Sequence, residues 1–342
     1  MLTVLLTLVV GVAGAVFAHW LSIPIPWLIG SMIVCGILTT SGVRLAAPPR
    51  KLELWMRVII GVSLGPSVAN SLSSNIAQLP FAIVSAVVLT TLLVILGTWW
   101  FEKRTQLTRP LAYIAAMPGG LSFLIAIASA FGDKRPLIAL IHTVRVVSLI
   151  IIVSLLARYT GIHDQDSSLL NAFAMTLHWH WLLLAVLVVV SFTVAEVTRI
   201  AGGHVLVPMV LTTVFIMVTG IEPIMPEIAK TVAMLTFGIM LGCELGSGPR
   251  QHYMKLGVAS VLYTLAALLI AAGMALLLQA FIDQPAMAIF LALAPGGIAE
   301  VSLIALALDL DAGMIALVHT CRFSFIMLLG PLGLRLLTNR PQ

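Results

Sequence analysis

One fixed step of 177 residues relates the two halves of this chain. Pro118-Gly119-Gly120 returns as Pro295-Gly296-Gly297, and His142-Thr143-x-Arg145 returns as His319-Thr320-x-Arg322. The same step carries Ile138-Ala139-Leu140 onto Ile315-Ala316-Leu317, and Gly61-x-x-Leu64-Gly65 onto Gly238-x-x-Leu241-Gly242. It also carries Met32 onto Met209. A constant step from Met32 to Arg145 means that one unit was duplicated whole, without insertions. What is repeated inside apolar sequence is helix-breaking glycine and buried charge, which a bilayer tolerates least without a reason.

The setting is a membrane. Hydrophobic residues make up 61% of the chain and charged residues 9%, against about 25% charged in soluble domains. Spanning helices need about 20 apolar residues each. Such runs lie near 2–20, 25–40, 54–69, 78–100 and 137–157, and again near 179–197, 203–219, 228–246, 255–281 and 314–336. The first run has no basic leader and has a counterpart in the second half, so it reads as fold and not as a cleaved signal peptide. The chain divides into a first repeat (1–158), a polar connector (159–177) and a second repeat (178–342). Trp20, Trp99, Trp100, Trp179 and Trp181 sit at run ends, where interfacial aromatic belts belong.

Several functions are excluded on the same ground. Cys35, Cys243 and Cys321 are dispersed through apolar runs without a C-x-x-C spacing, so no disulfide framework, metal site or cofactor follows. The net charge of +5 comes from short loops, not from a basic head, which argues against nucleic acid.

Loop charge sets the topology. If 111–131 and 286–308 both span, the basic residues divide 10 to 5 between the two sides. If both are re-entrant hairpins, the division becomes 13 to 2, with only Arg158 and Lys230 on the poorer side. Positive residues collect on the cytoplasmic side, so the hairpin arrangement is favoured. It leaves Asp164, Asp166, Glu222, Glu227, Asp283, Asp309 and Asp311 all facing outward. Five crossings plus a hairpin per repeat is an odd number, so the halves are inverted, with both termini cytoplasmic. Leu111–Met117 is about 10 Å as helix and Leu121–Phe131 about 16 Å, so each arm reaches roughly the midplane. The bland reading of Pro-Gly-Gly is a kinked spanning helix with glycine for close packing. The functional reading is a tip at which the restarting helix offers unpaired N–H groups to an anion.

Arg145 and Arg322 each follow a histidine by three positions, so each His/Arg pair shares a helix face. Both lie about two turns into the membrane. Read functionally, the arginines are anion clamps at Pro118, Gly119, Gly120 and at Pro295, Gly296, Gly297, with His142 and His319 as carriers of a coupling proton. Read structurally, each arginine braces its hairpin through backbone carbonyls. Glu300 breaks the symmetry, since Phe123 stands at the equivalent position. It reads as a counter-ion to Arg322 or as a proton or sodium site. Arg57, Glu53, Glu196 and Glu244 fall near run ends and read as interfacial.

The two Pro-Gly-Gly segments, the paired His-Thr-x-Arg helices and the repeated Gly-x-x-Leu-Gly resemble, over essentially the full length, the AbrB family of multi-pass bacterial membrane proteins. The resemblance implies a membrane protein often labelled a regulator, or an ammonia monooxygenase. The family shares its name with an unrelated DNA-binding regulator, and no residue here supports DNA binding. An oxidase needs a metal site, and His19, His163, His178, His180 and His204 form no clustered ligand set. The expectation is an all-α, inverted-repeat, non-enzymatic secondary transporter of the bacterial inner membrane. It moves a small anionic solute held between the two tips by an elevator-like motion; the alternative is a membrane sensor that binds without transport. Its partners are the bilayer, the solute and, at most, further copies of itself.

Overall fold

A computed structural model of the chain describes residues 2–119, 121–128, 131, 135–161, 180–246 and 253–338. Among the described residues every regular element is a helix: α1 (Leu2–Trp20), α2 (Pro26–Thr40), α3 (Arg50–Ser74), α4 (Leu79–Arg104), α5 (Arg109–Ala116), α6 (Leu121–Ala128) and α7 (Arg135–Tyr159), then α8 (His180–Thr198), α9 (Gly203–Thr219), α10 (Glu227–Leu245), α11 (Tyr253–Leu278), α12 (Ala286–Leu293), α13 (Ile298–Ala307) and α14 (Ala312–Thr338). Each of the ten expected runs is one helix. Eight of the helices are long and apolar enough to cross a membrane, and the chain is a multi-pass membrane protein. Helices α2 and α9 are shorter, at 15 and 17 residues. Proline in the first turn starts α2, α4 and α5, where its missing N–H costs nothing. Gly220, at φ 69°, ends α9 in the left-handed conformation that favours glycine. Most of the connector, 162–177, lies outside the described residues, as do 178 and 179.

The helices pack as two compact units, each drawn from both halves of the sequence. Unit one holds 1–76, 150–246 and 299–316. In it α2 packs on α1 and α10, while α3 packs on α9. The two cross-repeat contacts use equivalent residues. Gly61 of α3 lies against Pro208 and the carbonyl of Val205 on α9. Gly238 of α10 lies against Ser31 and the carbonyl of Leu28 on α2. All three residues of one contact map onto the other by the same step of 177. Glycine permits this approach because a Cβ at either position would overlap a backbone oxygen. Threonine then bridges each pair: Thr213 Oγ1 donates to Gly65 O at 3.2 Å, and Thr39 Oγ1 to Gly242 O at 2.9 Å.

A polar clamp closes the end of unit one. Asp311 Oδ1 accepts from Ser71 Oγ at 2.6 Å and from the Met314 N–H at 2.9 Å, and Oδ2 accepts from Asn75 Nδ2 at 3.1 Å. One carboxylate therefore caps α14 and ties it to the end of α3. Asp311→Ala removes the cap and both side-chain bonds. It is expected to lower unfolding free energy by about 2 kcal/mol, seen as an earlier denaturation midpoint in detergent. An unchanged midpoint would mean that the clamp is idle.

Unit two holds 77–149, 247–298 and 317–342. Helices α4 and α11 run antiparallel, with Tyr263 OH donating to Leu93 O and Trp100 Nε1 donating to Ala259 O, both at 2.9 Å. Ser260 Oγ donates to Ile141 O at 2.9 Å, tying α11 to α7. Helices α5 and α6 lie between α4 and α7 in the chain. Lys134, which precedes α7, lies outside the described residues.

Candidate binding site at the Pro-Gly-Gly tips

Both tips are breaks between short helices. Helix α5 ends at Ala116 and α6 begins at Leu121, while α12 ends at Leu293 and α13 begins at Ile298. An eight-residue arm of about 12 Å cannot cross a hydrocarbon core of about 30 Å. Ending an arm there leaves its last carbonyls without helical partners, in a medium that offers no water.

The paired arginines supply those partners. Arg145 Nη2 donates to Met117 O at 2.9 Å, and Nη1 lies 3.4 Å from the carbonyls of Ala115 and Ala116. Arg322 Nη1 donates to Ala294 O at 2.7 Å and to Leu293 O at 3.3 Å, and Nη2 to Gly296 O at 2.9 Å. Each guanidinium thus caps the negative end of the entering helix. In both pairs Nη2 also meets the histidine Nδ1 at 2.7 Å. Arg145 is 1% exposed and Arg322 3%. Among the described residues neither makes an ion pair; the pairs present are Arg57–Glu53, Arg109–Glu102, His204–Glu196 and Lys230–Glu227. Among the described residues these two buried cations are held by dipoles alone, and Arg145 Nε has no hydrogen-bond partner. The two guanidinium charges also act on one another.

Helix α14 orders the two tips. His319 lies opposite Leu291, and Arg322 opposite Leu293, Ala294 and Gly296. Positions rise together, so α12 runs parallel to α14. Against the same helix Tyr113 meets Gly333, Met117 meets Gly330, and Gly119 meets Phe323 and Ile326. Here positions rise in opposite senses, so α5 runs antiparallel to α14. Helices α5 and α12 thus enter unit two from opposite ends. Their tips reach consecutive turns of α14, at Arg322 and at Phe323–Ile326.

Of the residues singled out from sequence, Pro118, Gly119, His142, Arg145, Pro295, Gly296, Gly297, His319 and Arg322 all belong to unit two. Gly120 lies outside the described residues. Among the described residues no ion pair links Glu300 with Arg322. Glu300 lies in the part of α13 that packs in unit one, and the charged side chains acting on it are Arg57 and Glu53 of α3. Those two pair at 2.5 Å, and Arg57 also stands over the Phe237 ring at 5.9 Å. They form a half-buried charge cluster near the start of α3. Their spacing of four on a helix was the signal available in the sequence.

A family model described as "Transition state regulatory protein AbrB" matches residues 27–338. The chain belongs to the AbrB family. An Escherichia coli K12 protein named "Putative regulator AbrB" is 28% identical over 319 residues, covering 90% of this chain and 89% of the relative. The Bacillus subtilis 168 protein named "Uncharacterized protein YhjN" is 26% identical over 178 residues, covering 49% of this chain and 45% of its own. No solved structure matches this AbrB-family chain.

Proposed function

We propose that this AbrB-family protein is a secondary transporter of the bacterial inner membrane that moves a small anionic solute. The solute is held where the two Pro-Gly-Gly tips meet. The halves are inverted repeats, and both termini are cytoplasmic. The observation that carries this reading is the meeting of two oppositely entering tips on one helix, each held by a buried guanidinium with no carboxylate beside it among the described residues. Broken helices opposed near the midplane are how secondary transporters build sites. A net positive centre without an acidic partner is costly in lipid unless something negative occupies it. The forks of Arg145 and Arg322 are spent on tip carbonyls. Their role is therefore to supply charge and to fix the tips, leaving Arg145 Nε, which has no hydrogen-bond partner among the described residues, to touch the solute.

The name of the Escherichia coli relative favours a second reading, a membrane regulator that binds a ligand without moving it. Proteoliposomes separate the two. Purified protein is screened for thermal stabilisation by acetate, succinate and inorganic phosphate, since binding to the folded state raises apparent stability. Stabilising anions are then tested for counterflow. Stabilisation with counterflow is the expected result. Stabilisation without counterflow supports the regulator, and no response to any anion removes the tip site.

A further inference from the structure

The hydrogen bonds of His319 fix its proton. Its Nε2 lies 2.9 Å from Leu291 O, an oxygen that only accepts, so Nε2 carries the hydrogen. Its Nδ1 lies 2.7 Å from Arg322 Nη2, which only donates, so Nδ1 carries the lone pair. The imidazole is neutral, with both nitrogens committed. His142 repeats the decisive half of this arrangement, with Nδ1 at 2.7 Å from Arg145 Nη2. Adding a proton at either Nδ1 would set two donors face to face beside a guanidinium, in a site where the histidines are 7% and 1% exposed. Among the described residues no carboxylate pairs with either arginine or histidine. Helices α5 and α12 present only carbonyls to the two arginines, α7 and α14 bring the arginines themselves, and α11 adds the Tyr263 phenol near Arg145.

We propose that His142 and His319 are positioning residues, neutral acceptors that hold each guanidinium fork against its tip, and not carriers of a coupling proton. The chain of contacts runs from imidazole to guanidinium to tip carbonyl, and it is built twice. It follows that any proton moved with the solute travels on another group. The geometric part stands without the transporter reading; only its consequence for coupling rests on it.

Asparagine places Oδ1 close to the position of the histidine Nδ1, so it keeps the acceptor and removes the titrating ring. Leucine keeps bulk and removes the acceptor. In detergent, His319→Leu is expected to lower the apparent melting temperature by about 5 °C, and His319→Asn by less than about 2 °C. His142→Leu and His142→Asn should behave alike. The second readout is the ¹⁵N spectrum of histidine-labelled protein between pH 5 and 8. The resonances lost in His142→Asn and His319→Asn should keep one protonated and one unprotonated nitrogen throughout. A doubly protonated pattern at either residue within that range, or an asparagine variant as damaged as the leucine one, would overturn the proposal. Neither readout uses a solute, so failure of every anion to drive counterflow would sink the transporter and leave this inference standing.

Discussion

Arg322→Ala is expected to cost about 3–5 kcal/mol of stability, the range for stripping the partner from a buried charged network. Three carbonyls at and just past the end of α12 and the His319 Nδ1 lose their donor together. No water replaces it inside the bilayer. Response to solute should disappear with the tip. Arg145→Ala is expected to be somewhat milder, since two of its carbonyl contacts are long, at 3.4 Å. Arg322→Lys tests the geometry. A compact ammonium keeps the charge but does not span Ala294 O, Gly296 O and His319 Nδ1 as a planar fork does, so it should recover only part of the loss. An anion clamp with no bracing duty gives a different outcome, a stable Arg322→Ala protein whose binding is weaker by about a hundredfold. Paired measurement of melting and ligand-induced shift decides between them. An Arg322→Ala protein that melts and responds like the wild type would remove this residue from the account.

Gly238→Val is expected to be nearly as damaging, at about 3 kcal/mol. The new Cβ would overlap Ser31 Oγ and the Leu28 carbonyl. The serine can turn away, but the carbonyl is helix backbone and cannot. Helices α2 and α10 must then separate, losing the Thr39 to Gly242 bond and the packing of Gly242 on Cys35. Gly61→Val should reproduce the defect through the equivalent contact of α3 with α9. Gly257→Ala is the control, because a Cβ there meets nothing within 4 Å. It should be neutral or stabilising by up to about 1 kcal/mol. Similar midpoints for Gly238→Val and Gly257→Ala would mean that this close approach does not hold unit one together.

Much of this architecture was readable before any coordinate. Helix boundaries followed from apolar runs because lipid forces every backbone group to bond within its own segment. The tips followed from Pro-Gly-Gly, which no continuous helix accommodates well, and the 177-residue step linked Arg145 with Arg322. What stayed hidden were partnerships across distant segments. Nothing in a linear pattern says that the fork of Arg322 is filled by Leu293, Ala294 and Gly296, and both bracing and clamping were open. Nearness in sequence also misled. Glu300 lies three residues past Gly297, which suggested a counter-ion for Arg322, yet a helix carries successive side chains to different faces and its charged neighbours are Arg57 and Glu53. Asp311 read as a loop acid because its partners, Ser71 and Asn75, come from the other repeat.

The central claim is that the two Pro-Gly-Gly segments enter from opposite faces of the membrane. Single cysteines introduced as Lys134→Cys and Asp309→Cys, in a background with Cys35, Cys243 and Cys321 replaced by alanine, mark the two return loops. An impermeant maleimide added to intact spheroplasts should label Asp309→Cys at once, and Lys134→Cys only after permeabilisation. Twelve spanning helices would put both loops outside, so equal labelling of both in intact spheroplasts would contradict the opposed entry of the tips.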